Sequence, residues 1–236
     1  MFTQSAKYYD ALYRALGKNY ATESEQIRSI LAAKLRSGGD ALLDVACGTG
    51  LHLEHLQGDF ACEGIDLERN LLNIAATRVP GVPLHQADMI SFNLSKKFDA
   101  IICLFSSIGY VPSVMRLNQT LLTFARHLHH GGVVIVEPWI TPDRWQDGHV
   151  NALYVNEPNL KVARMNVSRR DGNVSILHFH YMVGSTDGIR TFTEPHRLTL
   201  FTDQEYTAAF LGAGLHVEHD AEGLMGRGLY IGTKSL

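Results

Sequence analysis

The chain has 236 residues, is 45% hydrophobic and carries a formal net charge of -3. That length and apolar content suffice for one substantial core with a smaller appendage, and the mixed, nearly balanced charge excludes the electrostatic footprint of a nucleic-acid binder. No apolar run reaches the ~18 residues that span a membrane, and the first residues lack the charged-then-apolar pattern of a secretory leader, so a soluble cytoplasmic protein is expected.

Residues 21–36, ATESEQIRSILAAKLR, read as a helix with Thr22 or Ser24 as cap and an apolar stripe of Ile27, Ile30, Leu31 and Leu35. Ser37-Gly38-Gly39 ends it. ALLDVA (41–46) is a short apolar strand, a glycine-containing turn follows, and a helix begins near Leu51. ACEGIDL (61–67) is a second strand, followed by a helix at 69–78. VPLHQAD (82–88) is a third strand, and FDAIICLF (98–105), apolar throughout, reads as a parallel strand buried on both faces. A helix is expected over 114–129, ending at Gly131-Gly132, with the fifth strand within 131–139. Strand and helix alternate over 41–139, which predicts an α/β fold: a doubly wound, mostly parallel sheet.

The pattern then changes. Short alternating strands run from about 151 to 201, with Asp171-Gly172 and Asp187-Gly188 as hairpin turns. They predict a small antiparallel sheet at 151–199, inserted into a core made of 1–150 and 200–236. A helix over 203–213, with Asp203 as its cap, and a hairpin from GLHVEHD and GLYIGTK close the chain, with LMGRG (224–228) in the hairpin connection.

Three cysteines, Cys47, Cys62 and Cys103, form no C-x-x-C pair and read as buried reduced thiols. Among the twelve histidines, His127, His129 and His130 crowd the end of the helix expected at 114–129, where an imidazole complements the helix dipole. His178 and His180 alternate in a strand and share one face; a third ligand and an adjacent acid are missing, so no metal is expected.

The stretch Asp44-Val45-Ala46-Cys47-Gly48-Thr49-Gly50 stands at the carboxyl end of a strand, where open α/β sheets bind ligands. It lacks the lysine and spacing of a phosphate loop and the third glycine of a dinucleotide fingerprint. Asp66 closes the second strand, where an acid suits two ribose hydroxyls. Asp88 closes the third, followed by Met89, where a carboxylate and nearby backbone meet adenine. Each acid alone reads equally as a loop cap; their succession at strand ends argues for a ligand.

With LLDVACGTG, GIDLERNLL, QADM and HHGGVVIVEPW in order, the chain resembles the class I S-adenosylmethionine-dependent methyltransferases over about 20–140. The resemblance implies a seven-stranded sheet and S-adenosylmethionine as cofactor, converted to S-adenosylhomocysteine. It implies that Gly48 and Gly50 let the backbone approach the methionine part, and that Asp44, Ala46 and Leu67 also bind the cofactor. Asp66 would hold the ribose and Asp88 with Met89 the adenine, while Leu104, Phe105 and Ser106 line the floor near the sulfonium.

YYDALYRALGKNYATE, CLFSSIGYV, VEPWITPDRWQDG, LTLFTDQEYTAAFLGAGL and MGRGLYIG extend the resemblance to the N,N-dimethyltransferases of nucleotide-linked amino sugars, over nearly the whole chain. That resemblance implies a dTDP-linked amino-deoxy sugar as acceptor and an insert that shapes the substrate pocket and a homodimer interface. It puts Tyr20 at the methionine end of the cofactor and Arg227 at the acceptor. An arginine in a glycine-flanked turn suits a diphosphate; the plainer reading is a solvated loop charge. Tyr110 stands where relatives carry a histidine near the sugar amine. As a phenol it can hydrogen-bond an amine but is a poor base near neutral pH, and it reads equally as packing. Phe2 lies nearest to an N-terminal tyrosine of the family and offers no hydroxyl. Glu137 is a candidate to accept a hydrogen bond from the amine or to anchor a loop. Trp139 and Trp145 are candidates to stack on a base or to pack under the insert. Two readings stay beside the amino-sugar one: another small amine or hydroxyl as acceptor, and a cofactor-binding protein without catalysis.

Overall fold

A computed structural model describes residues 2–236. Five strands lie parallel: β1 (Ala41–Val45), β2 (Ala61–Asp66), β3 (Leu84–Gln86), β4 (Phe98–Cys103) and β5 (Leu128–Val136). The C-terminal hairpin of β10 (Leu215–Asp220) and β11 (Leu229–Lys234) adds β11 antiparallel to β5. The seven strands run β10-β11-β5-β4-β1-β2-β3, so the order reverses between β1 and β4, and a crevice opens beyond their carboxyl ends. β1 and β4 present apolar side chains on both faces because helices cover both. One face packs α5 (Val114–Arg126) and α6 (Asp203–Gly212) through Leu117, Leu121, Phe124, Tyr206 and Phe210. The other packs α2 (Tyr20–Lys34), α3 (Leu51–Leu56) and α4 (Arg69–Arg78) through Ile27, Leu31, Leu53, Leu56 and Leu72.

The second sheet is a four-stranded antiparallel meander, β6 (Val150–Glu157), β7 (Leu160–Asp171), β8 (Val174–Ser185) and β9 (Gly188–Thr199). Its inner face alternates with an outer one at period two. Val162, Leu177, Phe179, Tyr181 and Leu198 point inward and bury Tyr8 and Leu12 of the N-terminal segment. The insert therefore does not sit apart: it closes over α1 (Tyr9–Ala15), a helix the sequence reading did not assign.

Several expected boundaries move, each for a local reason. α2 starts at Tyr20 rather than 21, and its cap is Asn19, whose Oδ1 accepts from Thr22 N–H at 3.1 Å, not Thr22 or Ser24. α6 is capped by Thr202, not Asp203: Thr202 and Glu205 form a reciprocal capping box, which frees Asp203 to accept from Tyr230 OH at 2.6 Å. The helix expected to 129 ends at Arg126. His127 caps it, with its Nδ1 2.8 Å from Thr123 O and its Nε2 accepting from Leu94 N–H at 3.2 Å. His129 and His130 belong to β5, not to a helix end. Gly131-Gly132 is a bulge in that strand rather than a helix stop: a Cβ on Gly131 would lie 2.7 Å from the Arg36 carbonyl carbon, and Gly131 has φ +75°.

Gly64 shows how tightly the first turn is packed on β2. A Cβ there would lie 2.8 Å from Cys47 Sγ and 2.9 Å from both Leu53 and Leu84 side chains. Gly64→Ala is expected to destabilise the fold by about 1–3 kcal/mol through overpacking, measurable as a lower midpoint in urea with unchanged slope.

Candidate active site

After β1 the chain turns through Ala46 (φ 60°), Cys47, Gly48 (φ 58°) and Thr49 to Gly50 (φ 78°), which opens α3. The two glycines do different work. A Cβ on Gly48 would meet nothing within 4 Å, so its bareness leaves room for a ligand against the backbone. A Cβ on Gly50 would lie 3.1 Å from Ala75 Cβ, so this glycine lets the start of α3 approach α4.

Asp66 ties the turn to the next loop. Its Oδ2 accepts from Gly48 N–H at 2.9 Å and its Oδ1 from Glu68 N–H at 2.8 Å, and each oxygen keeps a further lone pair. Burial raises the Asp66 carboxyl above its usual range, against the lowering effect of those two bonds. Asp44 behind it is fully buried; desolvation and then the Asp66 charge push it well above the ordinary value, and its Oδ2 has no hydrogen-bond partner among the described residues. Tyr20 OH is also buried without a partner there. Both residues line one small cavity with Ala46, Gly48, Thr49, His52, Leu104 and Phe105. Below Tyr20 a buried cluster fixes the floor: Lys18 Nζ donates to both Glu23 oxygens at 2.7 Å, and Glu23 Oε2 lies 2.8 Å from His52 Nε2.

An unpaired carboxylate oxygen, an unpaired phenol and a bare glycine at one strand end fit the ammonium and carboxylate of a methionine moiety. A neighbouring cavity of about 300 Å³ is lined by Asp66, Leu67, Glu68, Leu71, Asp88, Met89, Ile90 and Val111, acids among mostly apolar side chains. Asp88 Oδ1 accepts from Ile90 N–H at 2.9 Å, which shapes the loop at that end of the cavity. The two cavities share Ala46, Gly48, Tyr9 and Ser107, so they form one elongated groove across the strand ends.

The raised carboxyls give a sign to the pH dependence. Groups whose native values lie above their unfolded ones stabilise the fold fully below the unfolded value, and that contribution is lost as pH rises through the native value. Asp44 and Asp66 therefore strain the free protein near neutrality. A ligand bringing positive charge lowers both values and relieves that strain. The thermal shift on adding S-adenosylmethionine is expected to be larger at pH 7.5 than at pH 5, with proton release on binding in between, read by calorimetry in two buffers; a shift independent of pH would sink this.

A third cavity continues from the groove. It is lined by Phe2, Tyr9, Tyr13, Phe105, Ser106, Tyr110, Trp139, Arg164, Phe179, His196 and Arg227, and it runs on past Trp145, Asn151 and Asn166 into a cleft of about 440 Å³. The loop between the two regions is held in left-handed conformation at Phe105 (φ 53°) and Ser106 (φ 62°). Glu137 sustains it: this fully buried residue accepts from Phe105 N–H at 2.6 Å through Oε2. Burial raises its carboxyl, with Lys18 and Arg227 opposing, and Oε1 has no partner among the described residues. Glu137 lines none of these cavities; its contact is the loop-anchoring one. Ser106 Oγ donates to Pro138 O at 2.6 Å and accepts from Arg227 at 3.0 Å. Arg227 thus lies over the Phe105 and Trp139 rings, each centroid 5.4 Å away, and faces the third cavity. Trp139 donates to Ser175 Oγ at 2.9 Å and stands 6.3 Å from Trp145, so both indoles pack and both still line the cleft.

The sequence reading missed four contributors. Tyr9 lines all three cavities, at the point where donor and acceptor would meet. α1 carries it and is strapped to the glycine turn: Asp10 accepts from Thr49 Oγ1 at 2.7 Å and from Arg78 at 2.5 Å. Tyr13 meets Phe105 edge-on at 4.6 Å. Arg164, on β7, has a buried guanidinium nitrogen without a partner among the described residues and lines the same cavity as Arg227. His196, on β9, is almost fully buried beside Tyr110. The aromatic repeat YYDALY and the inward alternation of Glu194, His196 and Leu198 were the available signals. The other histidines hold no metal cluster: among the described residues no group of three or more potential ligands converges.

Comparison with known proteins gives the family. Residues 42–132 match a family model described as a methyltransferase domain. The chain is 42% identical to dTDP-3-amino-3,4,6-trideoxy-alpha-D-glucopyranose N,N-dimethyltransferase of Streptomyces venezuelae, covering 97% of both chains. It is 38% identical to dTDP-4-amino-2,3,4,6-tetradeoxy-D-glucose N,N-dimethyltransferase of Saccharopolyspora spinosa, covering 98% of this chain and 92% of that one. Its fold superposes on the crystal structure of Streptomyces venezuelae DesVI with a TM-score of 0.93 at 41% identity, over 98% and 99% of the two chains. On S-adenosylmethionine-bound CalS10, an amino pentose methyltransferase from Micromonospora echinaspora, the score is 0.87 at 38% identity, over 96% of each. The groove, its acids and these likenesses together make the chain an S-adenosylmethionine-dependent methyltransferase, a member of the family to which these sugar N-methyltransferases belong.

Proposed function

We propose that this enzyme methylates the amino group of a deoxy sugar carried on a nucleoside diphosphate, dTDP in the first instance, by direct in-line transfer. The observation that carries the reading is the third cavity. It adjoins the cofactor groove at Tyr9 and holds two arginines, Arg164 and Arg227, that reach it from different elements. Paired guanidinium groups match the bidentate geometry of a diphosphate, and Trp139 and Trp145 offer flat apolar surface to a base farther out. The named relatives act on dTDP-linked amino sugars, which supports the same class here.

S-adenosylmethionine supplies a methyl group already activated on a sulfonium, so the protein need not generate an electrophile. Asp66, Asp88 and Leu67 would hold the adenosine part, while Asp44, Tyr20 and the Gly48 backbone would hold the methionine part. Tyr9, Phe105 and Tyr13 wall the junction and exclude water, and the arginines fix the acceptor so that its amine enters in line. Tyr110 reaches the same junction and accepts an amine N–H.

The test is turnover of labelled S-adenosylmethionine with a panel of dTDP-amino sugars, free amino sugars and simple amines. Methylation of the dTDP sugars alone is expected. Methylation of other amines or hydroxyls with none of the sugars would defeat the reading of the acceptor; binding of the cofactor with no acceptor turned over would defeat catalysis itself.

The outer face of the insert supports a homodimer. Val150, Tyr154, Met165, Val167 and Met182 stand exposed on three adjacent strands, more apolar surface than a solvated sheet face needs. A dimer in sedimentation, lost on Tyr154→Glu with Met182→Glu, is the expected outcome. Three unpaired, buried cysteines suit the reducing cytoplasm; among the described residues no helix is long and apolar enough to cross a membrane.

A further inference from the structure

Tyr110 and His196 are 86 residues apart in sequence and meet at 2.6 Å, hydroxyl to Nδ1, in the wall of the third cavity. Tyr110 follows β4 in the loop that Glu137 and Ser106 anchor; His196 points inward from β9. The imidazole is 1% exposed and packed between aromatic rings, Phe2 at 4.6 Å and Phe179 at 5.0 Å between centroids. Its Nε2 has no hydrogen-bond partner among the described residues.

Acid and base strength decide which group donates. A phenol O–H is a far stronger acid than a neutral imidazole N–H, and an imidazole nitrogen is a far better base than a phenol oxygen, so Tyr110 donates to Nδ1. The ring proton then sits on Nε2, among aromatic faces that tolerate an N–H. A phenol has one proton. Once that proton is committed to His196, Tyr110 Oη can show the cavity only lone pairs.

We infer that His196 is a positioning residue for methyl transfer: it fixes Tyr110 as a pure hydrogen-bond acceptor, which selects an N–H of the acceptor amine and turns the amine's own lone pair free for the new C–N bond. The inference rests on the amine acceptor proposed above. The acceptor's ammonium first gives a proton to solvent; the freed nitrogen lone pair then forms the C–N bond, the C–S electron pair stays on sulfur, and the methylated ammonium gives its extra proton to solvent. His196 does not take that proton. Burial pulls its value down to about 4, with Glu194 opposing and Arg164 reinforcing, whereas an alkylammonium holds its proton until about pH 10. Burial likewise raises the Tyr110 hydroxyl, with Tyr13, Tyr181, Glu194 and Asp66 adding to it, so no phenolate forms near neutrality. A pair with these properties orients a nucleophile and is unsuited to act as its base.

The experiment is a double-mutant cycle on the intact enzyme with a dTDP-amino sugar. Tyr110→Phe and His196→Phe are each expected to lower kcat by about 10–100-fold with S-adenosylmethionine affinity unchanged. The double variant should be no slower than the slower single one, because both remove one interaction. His196→Asn, whose carbonyl can accept the same O–H, should recover kcat to within a few-fold, and it keeps the test open if His196→Phe does not fold. The pH profile of kcat/KM should keep its shape in every variant. Additive losses, wild-type kcat in His196→Phe, or loss of a titrating limb would each overturn the inference while leaving the acceptor reading intact. A wild-type enzyme that methylates no amino sugar would overturn both.

Discussion

Asp66→Ala is expected to weaken S-adenosylmethionine binding by about 10²–10³-fold. Each hydrogen bond from a ribose hydroxyl to an ionised carboxylate contributes about 1.5–3 kcal/mol, and two of them reach that range at about 1.4 kcal/mol per tenfold. The structure adds a second reason. The same carboxylate accepts from Gly48 and Glu68 N–H, so the substitution also loosens the glycine turn and the loop below the adenosine cavity. Asp66→Asn separates the two effects. Its amide nitrogen must face one of those N–H donors, so the loss should lie between wild type and alanine. Calorimetric titration measures both; unchanged affinity in Asp66→Ala would mean that the ribose lies elsewhere.

The second large effect belongs to the acceptor side. Arg227→Ala is expected to raise the KM for a dTDP-linked amino sugar by about 100-fold, the worth of a bidentate charge-assisted contact, with cofactor affinity within about twofold of wild type. Arg227 is held over Phe105 and Trp139 and bonded to Ser106, so part of its effect passes through the loop that shapes the junction. Arg227→Lys keeps the charge without the planar fork and should lose about tenfold. Steady-state kinetics against each substrate distinguishes the cases: equal loss for donor and acceptor would point to a collapsed loop rather than a lost phosphate contact.

The donor side was legible in the sequence because its parts are local. A run of apolar residues, an acid and a bare glycine make a strand end and its turn within ten residues, and Asp66 and Asp88 each close the next strand. Such features follow from chain periodicity and turn chemistry alone. The acceptor side was legible only in fragments. Arg227 stood out for its glycine flanks, but Arg164 and His196 look like ordinary members of alternating strands until β7 and β9 fold over α1. Tyr9 and Tyr13 looked like part of an undistinguished first segment until Asp10, Thr49 and Arg78 strapped that segment across the groove. Glu137 shows the limit from the other direction: sequence left a substrate contact and a loop anchor open, and the structure shows its bond to Phe105 N–H.

By itself, then, the sequence determined the alternation of strands and helices, the inserted antiparallel block and the acids that stand at the strand ends, because short-range periodicity and single-turn geometry encode them. The tertiary structure alone decided that α1 and the insert close over the strand ends, that Tyr110 meets His196, and that two arginines from different elements face one cavity. Those are contacts between residues tens to hundreds of positions apart, set by how buried surfaces pack and by which polar groups must find partners there, and no local pattern records them.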